Sequence, residues 1–374
     1  MKKVLILYST GGMGHKKAAI AVFKAFQKRG NAVTAQNIDT LEYANKFYKF
    51  VYNELYVFLM TSGKMLWGFL YYLTDLGPVD AFMRLFKGNT DIKNLPGLAE
   101  MITRENPDAI VTTHFVLPSI SEILKKKNDL SAKTFVVVTD YGPHAFWIAK
   151  DIDRYFIGAD AMMPAMLKKG IPKEKITVTG IPTVEEFTRE MNSAELRSKY
   201  GIQPDRKTIF TLSGGFGVGP TEEILKELCA CKEKIQVIAV CGHNKQAYSN
   251  IEAMRDKLNY PVILFGFTDK VAELMAVSDL MVTKAGGISV TEALNMRLPM
   301  ILFESIPGQE TWNEKLLVEA GAARKAASIK EIPALANAIL SSPVVYDSLR
   351  AGIEKIRRPR AADDIVDAVL RDIA

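Results

Sequence analysis

Short apolar runs that close on glycine or polar residues and pass into helical patterns recur along the 374 residues of this chain. This alternation constrains the fold more than any other feature. Val4-Leu5-Ile6-Leu7-Tyr8 is the first run: short, continuous, apolar and ended by glycines, it reads as a buried strand. Ala18, Val22, Ala25 and Phe26 then recur at helical spacing on one face. Strands are predicted again over 32–38, 109–113 and 134–139, with helical segments between them. The pattern restarts after residue 200, with strands predicted over 207–213, 236–241, 262–265, 280–283 and 300–303. Strands alternating with helices build parallel sheets from βαβ units. The chain therefore reads as α/β, with two doubly wound domains joined near the polar, Glu-rich stretch 184–204. In such a protein the ligand cleft is expected between the domains, at the carboxyl ends of strands.

Three strand-to-helix junctions are rich in small residues: STGGMGH (9–15), LSGGFGVGPTEEIL (212–225) and TKAGGISVTEAL (283–294). Glycine lacks the Cβ that keeps a ligand from the backbone, and a helix start adds partial positive charge, so such turns suit phosphates. None is a Walker A loop, which needs G-x-x-x-x-G-K-[ST]. GGFGVG also fails the G-x-G-x-x-G spacing, and no acidic residue ends a following strand to take a ribose as that motif requires. Two such turns in the C-terminal half point to a phosphate-bearing ligand. Glu292 falls on the second turn of the helix after Gly287, where a carboxylate can accept two hydrogen bonds from a ribose diol. PGQETWN (307–313) offers Gln309, Glu310 and Asn313, side chains that pair with sugar hydroxyls.

Net charge is +6, and all of the excess lies in residues 1–100, which hold 13 Lys and Arg against 7 Asp and Glu. An anionic partner is expected to meet that part. Residues 43–86 break the alternation and hold 13 of the chain's 34 aromatics, interleaved with lysines. Thr61-Ser62-Gly63-Lys64 interrupts its apolar stretch, so it reads as helices lying on a membrane surface rather than a span. Cys229, Cys231 and Cys241 do not form a disulfide framework and indicate a reducing cytoplasm; with His243 they read C-x-C…C-x-H. Cys229 and Cys231 sit in a helical pattern where two-residue spacing sends them to different faces, so buried thiols are expected instead of a zinc site. The start Met1-Lys2-Lys3 with a five-residue apolar run is too short for a signal peptide.

At these residues the sequence resembles the monogalactosyldiacylglycerol synthase and processive diacylglycerol glucosyltransferase family, relatives of the bacterial lipid II N-acetylglucosaminyltransferase. The resemblance runs over nearly the whole chain. It rests on TGGMGHKKAA (10–19), TDYGPHAFWIAKDIDRYFIGAD (139–160), VTGIPTVEEF (178–187), LSGGFGVG (212–219), VCGHNK (240–245), FGFTDKVAELMAVSDLMVTKAGGISVTEAL (265–294) and PGQETWN (307–313). It implies the GT-B fold. An acceptor and membrane domain would span 1–190 and a UDP-sugar domain 191–354, with a helix in 355–374 returning to the first. It also implies His15 as general base and Gly12, Gly14, His144 and Trp147 on the acceptor side. The donor side would comprise Gly215, Gly217, Asn244, Phe267 through its backbone, Gly287, Ile288, Ser289, Glu292, Gln309, Glu310 and Asn313. Three departures stand out: Met13 interrupts the first glycine run, His243 replaces a common Arg, and GGIS replaces the more usual G-P-G-T.

These readings lead to sugar transfer from a UDP-sugar to the primary hydroxyl of diacylglycerol. A neutral histidine suits removal of that hydroxyl's proton, and a helix start disfavours imidazolium. No Asp-x-Asp pair stands at a strand end, so neither metal nor cofactor is expected; helix starts would stabilise the leaving UDP, with inversion at the anomeric carbon. The expected partners are a UDP-sugar, diacylglycerol and an anionic membrane surface met by residues 43–87, with no nucleic acid. The expected place is the cytoplasmic face of the cell membrane, peripherally. Two alternatives stay open at this level: N-acetylglucosaminyl transfer to a polyprenyl-linked acceptor, and a UDP-sugar sensor without turnover. Glucose and galactose donors are not distinguished by these residues.

Overall fold

The structure, a computed structural model, describes all residues except 11–12, 31–32, 56–57, 60–62, 80–89, 116, 127–129 and 213–218, and the side chains of 53 and 117. Gly12, Gly215 and Gly217 lie outside the described residues. The chain divides into two units. The first comprises Met1–Val184, Pro307–Trp312 and Arg358–Ala374; the second comprises Glu185–Ile306 and Asn313–Arg357.

In the first unit the described elements run β1 (Lys2–Tyr8), α1 (Met13–Gln27), β2 (Val33–Asp39), α2 (Lys64–Asp75), β3 (Ala109–Thr112), β4 (Lys133–Val137), β5 (Arg154–Ile157) and β6 (Ile176–Val178). All six strands are parallel, in the order β2-β1-β3-β4-β5-β6. Period-two geometry, with both faces buried, explains why β1 is apolar from Val4 to Leu7. Val4 and Ile6 join one core with Val111, Phe135, Phe156 and Phe26, while Leu5 and Leu7 join another with Leu98, Ile102 and Ile110.

The second unit contains β7 (Lys207–Leu212), β8 (Ile235–Val240), β9 (Val262–Phe265), β10 (Leu280–Thr283), α3 (Gly287–Asn295), β11 (Met300–Leu302) and β12 (Ala323–Lys325). These strands are also all parallel, ordered β12-β11-β10-β7-β8-β9. Ile209, Val237, Ala239, Leu280, Val282 and Ile301 supply a fully buried core. Between β11 and β12 runs α4 (Gln309–Glu319), preceded by Pro307 and Gly308. Gly308 has φ +93°, and a Cβ there would lie 2.6 Å from Cδ1 of Tyr71, so only glycine fits this turn against α2.

The last helix, α5 (Ala361–Asp372), belongs to the first unit. Its Ile365, Val366 and Val369 enter the core beside α1. Ion pairs reinforce the seam: Arg29 to Asp367 at 2.6 Å and Arg154 to Asp372 at 2.7 Å. Cys229 sits at the end of the helix Thr221–Leu228 and Cys231 lies beyond it, both half-buried, while Cys241 is buried. Burial pushes the Cys241 thiol up to about 11, which keeps it protonated and unreactive.

Short helices over Lys46–Phe50 and Val51–Leu55 precede α2. Ten of the seventeen exposed large apolar side chains among the described residues fall between Phe47 and Leu76, including Phe50, Phe58, Leu66 and Tyr72. Met65 is 87% exposed and Phe69 63%. Among the described residues no helix is long and apolar enough to cross a membrane.

Candidate active site

In an open parallel sheet the crevice for a ligand opens where strand order reverses. In the first unit that point lies between β1 and β3, the strands on either side of the reversal. His15, in the first turn of α1, stands at the end of β1, and Thr113 directly follows β3. The two are joined twice. The Thr113 hydroxyl donates to the His15 carbonyl at 2.8 Å, and His15 Nδ1 lies 2.7 Å from the Thr113 carbonyl.

That second contact settles the tautomer. A carbonyl can only accept, so Nδ1 carries the proton and Nε2 presents a lone pair. The Thr139 hydroxyl oxygen, 3.0 Å from Nδ1 and just past β4, accepts a share of the same proton. His15 is 8% exposed, and burial lowers its pKa to about 4. Burial holds the ring neutral, and the bond to Thr113 opposes it only in part. The helix start, the cause expected from sequence, is therefore not the main one.

His15 lines a cavity whose walls are aromatic. Trp67 and Tyr71, one turn apart on α2, supply one wall; Phe115, Phe146 and Trp147 supply the rest. Asp140, His144 and Gln309 are its other polar members. The Asp140 carboxylate accepts from Gln309 Nε2 at 2.7 Å. His144 acts as a brace: its Nε2 donates to the Tyr71 carbonyl at 2.9 Å, and its Nδ1 accepts from the Phe146 amide at 3.1 Å. Asp75 adds a second tie from α2, accepting from the Ala145 amide at 2.7 Å.

In the second unit the order reverses between β7 and β10. The turn after β10 leads straight into α3, with Gly286 as its N-cap. The first intrahelical bond runs from the Val290 amide to the Gly286 carbonyl at 3.0 Å, so the amides of Gly287, Ile288 and Ser289 precede it. Asn313, fully buried, donates from Nδ2 to the Ala285 carbonyl at 2.8 Å and so holds this turn from below. Glu292 is buried on the next turn of α3. Buried Lys284 immediately precedes the turn, a cation that the sequence reading passed over. Phe267 is exposed and stacked on His243, ring centres 4.3 Å apart and 15° from parallel. Asn244 caps a helix by accepting from the Ala247 amide at 2.9 Å. Glu310 is half-buried in the first turn of α4.

The residues expected from sequence thus divide between the units. His15, Gly14, His144, Trp147, Gln309 and Glu310 lie in the first; Asn244, Phe267, Gly287, Ile288, Ser289, Glu292 and Asn313 lie in the second. Sequence reasoning missed Thr113, Thr139 and Asp140, all buried polar residues at or just past strand ends.

Comparison with known proteins agrees with this architecture. The family model of monogalactosyldiacylglycerol (MGDG) synthase matches residues 15–183, and that of the glycosyltransferase family 28 C-terminal domain matches residues 221–342. A processive diacylglycerol beta-glucosyltransferase from Bacillus cereus is 30% identical over 373 residues, covering 99% of this chain and 94% of that protein. Among solved structures, Acinetobacter baumannii MurG is similar with a TM-score of 0.62 at 14% identity, covering 99% of this chain and 100% of that one. The S. aureus MnaA–UDP structure is similar with a TM-score of 0.64 at 16% identity, covering 100% and 98%. The fold is GT-B, and the protein is a glycosyltransferase. It belongs to the family of the MGDG synthases and the processive diacylglycerol glucosyltransferases.

Proposed function

We propose that this enzyme transfers glucose from UDP-glucose to the primary hydroxyl of diacylglycerol, inverting the anomeric centre without a metal ion, while seated on the cytoplasmic face of an anionic membrane. The observation that carries the reading is the fixed tautomer of His15. With its Nδ1 proton committed to Thr113, the ring offers Nε2 as a base inside an aromatic-walled cavity. The acceptor hydroxyl loses its proton to Nε2 as its oxygen bonds to C1 of the sugar. The bond from C1 to the β-phosphate oxygen breaks, and UDP leaves with the electron pair. Direct displacement turns an α-linked donor into a β-glycoside.

Charge developing on the diphosphate is met by the amides of Gly287, Ile288 and Ser289 and by the dipole of α3, in place of a cation. Diacylglycerol as acceptor and glucose as the transferred sugar follow the naming of the Bacillus cereus relative. Membrane seating is supported by the apolar surface between Phe47 and Leu76, beside lysines 46, 49 and 64.

The test is incubation with vesicles of diacylglycerol and anionic phospholipid, with UDP-glucose or UDP-galactose, with and without EDTA. The expected product is β-glucosyldiacylglycerol, formed equally with chelator and lost in His15→Ala, which still binds UDP. Transfer that stops with EDTA, an α-linked product, or an unimpaired His15→Ala enzyme would each remove part of the proposal.

A further inference from the structure

We infer that Asp140 is a positioning residue for sugar selectivity: its carboxylate fixes the Gln309 amide so that Oε1 serves as a one-way acceptor for a hydroxyl of the transferred hexose. This rests on the glycosyltransferase reading above.

A glutamine amide is ambiguous by itself, since either end can face a sugar hydroxyl, and each sugar hydroxyl can donate or accept. Here the ambiguity is removed. Asp140, 5% exposed, offers only acceptor oxygens, so Gln309 must turn Nε2 toward it, as the 2.7 Å contact records. Gln309 lines the same cavity as His15, and among the described residues this is its hydrogen bond. Its oxygen is therefore the end left for a ligand. Two further observations support a sugar as that ligand. The cavity's other walls are aromatic faces, which suit the C–H faces of a pyranose ring. Gln309 follows Gly308, whose left-handed turn packs against Tyr71 of the same cavity wall. A site that hydrogen-bonds a specific hydroxyl rejects an analogue lacking it, because its own polar group is then left unpaired.

In Asp140→Asn the side chain keeps its size, but either end of the new amide can face Gln309. Gln309 is then free to reverse and meet the sugar as donor. The experiment measures kcat/KM with UDP-glucose, UDP-galactose and the 2-, 3-, 4- and 6-deoxy UDP-glucose analogues, for wild type, Asp140→Asn, Gln309→Ala and the double variant. UDP affinity and melting temperature are recorded alongside. Wild type is expected to lose about tenfold or more for the analogue altered at one position, the magnitude of one buried hydrogen bond. Asp140→Asn should lose less than about threefold for that analogue, and adding it to Gln309→Ala should change nothing further, since one residue acts through the other. UDP binding, which involves no hexose, should be unchanged in all four proteins. If Asp140→Asn keeps the wild-type discrimination at every position, or its effect adds fully to that of Gln309→Ala, the inference is overturned. A wild type that binds no UDP defeats the glycosyltransferase reading itself, which is a separate outcome.

Discussion

Lowering the pH removes the neutrality of His15, and the cost of doing so can be worked out. The ring has its ordinary pKa of 6.5 when unfolded and about 4 in the buried site. Between those values the unfolded chain binds a proton that the native site refuses. Stability contributed by the neutral ring is therefore complete above pH 6.5 and falls as pH drops toward 4, below which nothing more is lost. A gap of about 2.5 pH units at ~1.4 kcal/mol each gives a loss of ~3.5 kcal/mol. Other groups titrate over the same range, so the comparison is with His15→Gln, which keeps a polar side chain that does not titrate. All three tryptophans, Trp67, Trp147 and Trp312, belong to the first unit, so urea unfolding followed by tryptophan fluorescence reports on the unit that holds His15. Between pH 7 and 4 the wild type should lose about 3 kcal/mol relative to the variant. The acid limb of kcat/KM should likewise fall near pH 4 instead of 6.5. A difference between the two proteins that stays flat within ~0.5 kcal/mol, or a His15 NMR titration centred near 6.5, would refute the claim that burial holds the ring neutral.

Three further outcomes are expected. Thr139→Ala removes one of the two acceptors on His15 Nδ1 while Thr113 keeps the other, so kcat should fall about threefold to tenfold with little change in the acceptor KM, measured in the vesicle assay. Gly308→Ala forces a left-handed residue with a Cβ against Tyr71, and should destabilise the first unit by ~2 kcal/mol or more in a thermal melt. Paired Leu66→Asp and Phe69→Asp substitutions alter exposed positions of α2, so vesicle co-sedimentation should fall at least tenfold while UDP affinity and melting temperature hold.

How much of this could be read from sequence depends on how local each signal is. β1 was legible because both its faces are buried, which makes every residue from Val4 to Leu7 apolar. β7 and β10 were legible for the same reason. β5, β6 and β12 were not anticipated: Arg154-Tyr155-Phe156-Ile157 begins on a charge, Ile176-Thr177-Val178 is three residues long, and Ala323-Arg324-Lys325 is mostly polar. These strands owe their existence to the neighbour that pairs with them. The site divides in the same way. The glycines before α3 and the histidine opening α1 announce themselves within a few residues of chain. Thr113, Thr139 and Asp140 do not, because a single polar residue at a strand end has no period. Their meaning depends on β3 lying beside both β1 and β4, a fact of sheet order. Asn313 is the reverse case: the polar loop 307–313 suggested a sugar ligand, but packing turns this side chain to the Ala285 carbonyl.

The aromatic stretch 43–86 admits two readings from sequence, core packing or lipid contact, and α2 carries both a cavity-lining face and an exposed apolar face. At 3.6 residues per turn, Trp67 and Tyr71 fall on one face and line the cavity, while Met65, Leu66, Phe69 and Tyr72 fall outside it and are exposed. One helix cannot serve two surfaces independently. The Tyr71 carbonyl holds His144 and Asp75 holds the Ala145 amide, so α2 is tied to the 144–147 turn that carries Phe146 and Trp147. Lys169, 2.5 Å from the Asp75 carboxylate, ties the helix end to the body of the unit. The outer face of α2 and the walls around His15 are therefore joined by hydrogen bonds that each span a single residue pair.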